Sequence, residues 1–202
     1  MRISGDGGLN SYQTSNYIRG GFPMEFKELV EKRRSIRSFK PDTTIEVDVL
    51  NELLYCAQEA PTWKNTQTGR YYVVHTPEKV AEIKAKCLPE MNQKSCKDAP
   101  VLIVTTFVKN IAGFNREAVP DNELGNEWGA YDLGLQNSLL VLKATELGLD
   151  TLIMGIRDEK ALRAELEIPE TEEVVAVIAV GYRTEDVERP KRKDFERIAK
   201  FF

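Results

Sequence analysis

Apolar residues begin to recur at helical spacing only from Met24. Phe26, Leu29, Val30 and Arg33 fall at i, i+3, i+4 and i+7, which predicts a helix over about 24–34 with Arg33 on the side of the apolar stripe. Leu50, Leu53, Leu54 and Ala57 mark a second helix, which "APTWKNTQTG" breaks. "RYYVVHT" then reads as a strand and 77–87 as a helix, followed by "PVLIVTTFV", a continuous apolar run typical of a strand covered on both faces. Residues 109–125 show no period and read as a loop or lid. The longest helical pattern spans 127–147, with Leu133, Gln136, Asn137, Leu140 and Ala144 near one stripe and Gly148 at its end. "DTLIMGI" is a short apolar segment, 158–167 another helix, and "EVVAVIAVGY" the strongest strand signal in the chain.

Residues 1–23 are rich in Gly, Ser and Asn and follow neither period. They are expected to form a flexible extension ahead of one domain over 24–202. At 202 residues, with 42% apolar and 30% charged residues, the chain is long enough for a sizeable core. The pI near 5.3 argues against a general nucleic-acid binder, whose positive field would cover a face of the domain. No apolar run reaches the roughly 18 residues of a spanning helix, and the first residues lack the order of a secretory signal, so the expected compartment is the cytoplasm. Cys56, Cys87 and Cys96 are odd in number and form no C-x-x-C pair, which disfavours a disulfide framework or a metal site.

The catalytic inventory is short. His75 is the only histidine and falls in a predicted strand, there is no G-x-S-x-G elbow, and no HExxH, EF-hand or P-loop pattern occurs. An enzyme of this composition would leave the chemistry to a cofactor and supply grip and orientation. Two concentrated basic segments, "KRRSIRSF" at 32–39 and "PKRK" at 190–193, could meet on one phosphate, for which guanidinium groups are strong donors. Charge alone favours a plainer account, in which a helix dipole attracts cations at its C-terminus and a basic tail is solvated. Arg33 on the apolar side resists that account.

Taken in order, "RRSIRSF", "APTWKNTQTGRYYVV", "NQKSCKDAPVLIVTTF", "ELGLDTLIMGI" and "VIAVGYRTEDVERPKRK" give a pattern that resembles the FMN-dependent nitroreductase family over nearly all of 24–200. The resemblance implies an α+β fold with a central mixed, mostly antiparallel sheet flanked by helices. It also implies an intertwined homodimer with FMN at the subunit interface, and NADH or NADPH as electron donor. The implied reaction is ping-pong hydride transfer through flavin N5 to nitroaromatic, quinone or similar small acceptors, without a catalytic side chain. The alternatives are another flavin reaction on the same fold (dehalogenation, dehydrogenation or flavin breakdown), a non-catalytic FMN-binding protein, or a basic-patch module for acidic partners or RNA.

The residues carried over follow the matched segments. Arg33, Ser35 and Arg37 would contact the flavin or its phosphate, with Arg34 beside them as a candidate phosphate ligand. Pro61, Thr62, Trp63, Asn65 and Gln67 would come from the neighbouring subunit and lie against the ring. The family's following Pro-Trp is Thr68-Gly69 here, and Trp63 is bulky for its place. Asn92 stands where an amide often contacts the ring, Ile153, Met154 and Gly155 would offer backbone N–H groups near N5, and Lys191 and Lys193 would complete the phosphate contacts. Some members carry glutamate where Met154 stands.

Overall fold

The continuous apolar runs are explained by two covered faces. Residues 24–202 are described by the computed structural model; the extension expected over 1–23 lies outside the described residues. Strand β2 (Val101–Val108) and strand β4 (Glu172–Gly181) pair antiparallel at the centre, with β1 (Gly69–Val74) outside β2 and β3 (Asp150–Met154) outside β4. Because side chains alternate along a strand, Leu102, Val104, Val177 and Ala179 enter one core, while Val101, Ile103, Ile178 and Val180 enter the other. Both sets are needed to bury both faces, so no polar alternation survives in the sequence.

On one face, α2 (Val47–Gln58) and α5 (Glu127–Glu146) supply Leu50, Leu53, Leu140 and Ala144. On the other, α3 (Pro77–Cys87) and α6 (Glu159–Leu166) supply Val80, Ile83 and Leu162, and α4 (Glu90–Ser95) lies between α3 and β2 in the chain. α4 is too short for its period to show in the sequence, and it was not foreseen. All four strands are antiparallel; the parallel pairing is an isolated bridge, Ser35 to Thr151. Among the described residues no helix is long and apolar enough to cross a membrane.

Gly148 ends α5 as expected, at φ 76°, where a Cβ would be strained, and Leu149 N–H returns to the Ala144 carbonyl at 2.8 Å. Two expectations are corrected. α1 runs only over Phe26–Lys32, and Arg33 has already turned to ψ 130°, so it is a capping residue that leaves the helix rather than part of an apolar stripe. His75 lies one residue beyond β1 and is exposed. The segment 109–125, foreseen as a loop or lid, is tied by its asparagines. Asn115 Oδ1 accepts the Glu117 and Val119 N–H groups, Asn122 Oδ1 accepts Leu124 N–H and Trp128 Nε1–H, and Asn110 and Asn126 pair through their side chains at 2.9 Å. The three cysteines are free; burial raises the thiol pKa of each, that of Cys87 to about 11.

One buried ion pair ties the sheet edge to the chain that follows it. Arg183 donates to Asp150 Oδ1 through Nε and Nη2 at 2.9 and 2.6 Å, and its main-chain N–H reaches Oδ2 at 2.8 Å. With the Asp150 side chain only 8% exposed, removing its partner strands a carboxylate away from water. Arg183→Ala is expected to lower unfolding free energy by about 3 kcal/mol or more in denaturant melts. A loss near the median of a surface pair, about 0.5 kcal/mol, would mean that water reaches Asp150 freely.

Candidate functional site

The basic segment is held in place by main-chain bonds on both sides. Ile36 N–H donates to Thr151 O at 3.0 Å, Lys40 N–H to Tyr182 O at 2.8 Å and Thr184 N–H to Ser38 O at 3.2 Å. Ile36 and Phe39 point into the core, each no more than 2% exposed, which turns the polar side chains between them outward. Ser35 and Arg37 are exposed, and Arg33 and Arg34 are half-buried.

Cations crowd at the start of this segment. Burial, and then the charges of Arg189, Arg33, Arg183 and Arg192, push the Arg34 guanidinium below its ordinary value. Its Nη1 donates to Arg33 O at 2.6 Å, but its Nε is buried with no partner. Arg183 is neutralised by Asp150 and Asp186, and Arg189 approaches Glu31 at 3.6 Å. Among the described residues Arg33, Arg34 and Arg192 have no carboxylate partner. An unmatched cluster of this kind, with an orphaned donor inside it, suits a multivalent anion. Lys191 and Lys193, the expected contacts from this tail, are exposed, as are Arg189 and Arg192, the two members whose charge is felt at Arg34.

Three residues further on, about 10 Å along an extended chain, Arg37 borders a hollow of about 310 Å³. Asn92, Ile153, Met154 and Gly155 line the same hollow, together with Met91 and Ser95, so five expected residues from three separate segments meet there. The Ser35–Thr151 bridge causes this meeting, because it lays the basic segment along β3, whose far end is the Ile153–Gly155 turn. Met154 is buried, whereas Ile153 is 49% exposed. Asn92 is 8% exposed and gives its Nδ2 to Ile156 O at 2.7 Å. The amide nitrogen therefore holds the turn from a residue that also lines the hollow.

The 61–67 segment is built elsewhere and does not line this hollow. Trp63 N–H donates to Asp132 Oδ2 on α5 at 2.8 Å, and its ring lies 4.6 Å from that of Trp128. Thr62 Oγ1 accepts Gln67 N–H at 3.1 Å, and Gln67 Nε2 donates to Asn65 Oδ1 at 3.3 Å. Pro61, Asn65 and Gln67 are exposed. Lys64, Asn65 and Gln67 have φ of 46°, 57° and 50°, left-handed values that cost about 1 kcal/mol each outside glycine. Anchors at Asp132, at Trp128 and at Asp121, which pairs with Lys64 at 2.7 Å, hold the segment in that shape.

Residues 30–182 match the sequence profile of the nitroreductase family. The chain belongs to this family. A protein of Thermus thermophilus named NADH dehydrogenase is 26% identical over 87% of this chain and 95% of its own length. Protein DrgA of Synechocystis is 24% identical, over 85% and 90%. Among solved structures, a nitroreductase family protein of Clostridium difficile superposes with a TM-score of 0.72 at 25% identity, covering 88% of this chain and 98% of that one. A protein of Exiguobacterium sibiricum, crystallised in complex with FMN, gives 0.77 at 21% identity over 89% and 98%. The enzyme class and cofactors implied by the resemblance follow from membership: this nitroreductase is an FMN-dependent oxidoreductase with NADH or NADPH as donor.

The residues present fit the flavin nucleotide. An orphaned Arg34 Nε in an unpaired cation cluster suits its phosphate, and a hollow with apolar walls and a few polar groups suits its ring. Asp132 and Trp128, which hold Trp63, and Arg157, which bonds the Gly155 carbonyl, were not foreseen as supports of these segments. Asp132 and Trp128 sit inside a helical pattern that reads as ordinary core, and Arg157, two residues after Gly155, carries no motif.

Asp132 gives a pH test of the Trp63 anchor. Burial raises the pKa of its carboxyl, with the Trp63 N–H opposing. A folded-state pKa above the unfolded one favours the fold at low pH, and that contribution is lost as pH rises through the raised value. Asp132→Asn keeps an oxygen for Trp63 N–H and carries no charge. Its stability relative to wild type is therefore expected to be higher at about pH 7 than at about pH 4, the ordinary carboxylate range. Urea melts at the two pH values check this; the same difference at both would show that burial does not oppose the Asp132 charge.

Proposed function

We propose that this nitroreductase takes electrons from NADH or NADPH in one half-reaction and passes them to a small oxidised acceptor, a nitroaromatic, a quinone or a similar molecule, in the next. The observation that carries the reading is the alignment of one unpaired cation cluster and one apolar-walled hollow along a single pinned segment. FMN, when bound, supplies the hydride-accepting and hydride-donating centre.

The chain's own residues bind, orient and cover. Arg33, Arg34 and Arg192, with Ser35 nearby, are the donors for the phosphate; Lys191 and Lys193 are close enough in the chain to add long-range attraction. Arg37 and the Ile153–Gly155 turn border the ring's place, and Met154 keeps that wall apolar where some members carry a glutamate. No carboxylate lines the hollow. Its polar side chains are thus a guanidinium, an amide and a hydroxyl, from Arg37, Asn92 and Ser95.

The working unit in this reading is a homodimer, in which Pro61, Thr62, Trp63, Asn65 and Gln67 of one subunit cover the hollow of the other. Their separate anchoring on α5 supports it, as do large apolar side chains left at the surface. Phe26 on α1 is 71% exposed, and Phe195, Ile198 and Phe201 of the C-terminal tail are exposed as well. Trp63 and Trp128 then set the shape available to the acceptor.

The test is the visible spectrum of the purified protein under anaerobic conditions. A bound-flavin spectrum that bleaches with NADH or NADPH is expected; flavin that stays oxidised with both would leave a binding protein in its place. Arg34→Ala is expected to weaken FMN affinity by about 10- to 100-fold, the loss of hydrogen bonds to a charged group. Unchanged affinity would move the phosphate away from this cluster. Trp63→Ala is expected to change the ranking of nitro and quinone acceptors more than FMN retention, and an unchanged ranking would reduce Trp63 to packing.

A further inference from the structure

The turn that closes the hollow has its carbonyls held by side chains. Arg157 Nη1 donates to Gly155 O at 3.2 Å, Arg157 Nη2 donates to Val174 O on β4, and Asn92 Nδ2 donates to Ile156 O at 2.7 Å. Further along, Asp158 N–H is fixed to Cys87 O at 2.8 Å. Within a trans peptide the C=O and N–H point in opposite directions. Drawing the Gly155 carbonyl toward the guanidinium therefore turns Ile156 N–H the other way, and Ile156 lines the hollow while Arg157 does not. That N–H finds no acceptor among the described residues. A side chain built on Gly155 would meet nothing within 4 Å, so the turn is open on that side. The guanidinium itself has no carboxylate partner among the described residues, and its Nε is buried without a bond.

We propose that Arg157 is a positioning residue, which by holding the Gly155 carbonyl presents Ile156 N–H to the hollow as a fixed donor for an electron-rich atom of the flavin ring. The inference rests on the FMN reading above. A fixed donor, backed by an unpaired positive charge, favours whichever form of its ligand is richer in electrons. Arg157 thus shifts the balance toward reduced FMN without touching it. Asn92 serves the same turn by holding the Ile156 carbonyl in place.

The experiment uses FMN-loaded wild type, Arg157→Ala and Arg157→Lys, and measures the potential of bound FMN and the affinity for oxidised FMN. In Arg157→Ala the preference for reduced over oxidised FMN is expected to fall about tenfold, which is about 30 mV for a two-electron couple. Affinity for oxidised FMN should stay within about threefold, since the phosphate cluster is intact. Lysine keeps the charge and a donor but not the two-pronged grip, so Arg157→Lys should lie between the two. An unchanged potential in folded Arg157→Ala overturns the proposal. If the alanine variant does not fold, the lysine variant decides alone, and a potential equal to wild type overturns it. Wild-type protein that takes up no FMN would instead overturn the functional reading, and it shows before any variant is made.

Discussion

The site depends on the pinning of residues 35–40 between β3 and the chain leaving β4. Each bond is an ordinary backbone hydrogen bond, Ile36 to Thr151 on one side and Lys40 to Tyr182 on the other, with the Phe39–Arg183 bridge between them. Their joint effect is directional. With Ile36 and Phe39 committed to the core, Ser35 and Arg37 are turned outward, and the segment runs beside β3 from the cation cluster to the hollow. The Asp150–Arg183 pair locks the same corner, at the first residue of β3 and the second after β4. Loosening that corner would cost the core and the site together.

Arginines in one small region are treated in opposite ways. Arg183 is surrounded by acceptors and belongs to the architecture; Arg33, Arg34 and Arg192 are left without carboxylates, and Arg34 is held in an environment that disfavours its charge. A protein with an excess of acids could have neutralised these as well, since its formal net charge is -4. Leaving them unmatched keeps local potential for an anionic ligand, and the stability given up there is small because the groups are partly solvated. Arg157 is a third case: its partners are carbonyls, so it arranges backbone while keeping its charge.

The strands and long helices were legible because each had only one way to bury its apolar residues. "PVLIVTTFV" and "EVVAVIAVGY" have no polar alternation and had to lie between two layers, and α5 ended at Gly148 as its pattern indicated. The ends of short elements were less legible. α1 closes at Lys32 since Arg33 must turn to enter the pinned segment, a demand imposed by β3 and invisible at helical spacing. The 109–125 segment lacks a period because its order comes from asparagine side chains bonding nearby backbone and indole groups, which no hydrophobic pattern records.

The sequence by itself determined the family, the two covered faces of the sheet, and where basic residues concentrate, because these depend on residue types in order along the chain. Only the tertiary structure decided which donors converge. Arg189 and Arg192 rather than Lys191 and Lys193 press on Arg34, Asn92 grips the Ile156 carbonyl, and Trp63 hangs from a buried aspartate 69 residues away. Such pairings are set by which way a side chain points from a strand, turn or cap, and that direction is fixed by long-range backbone bonds rather than by the local sequence.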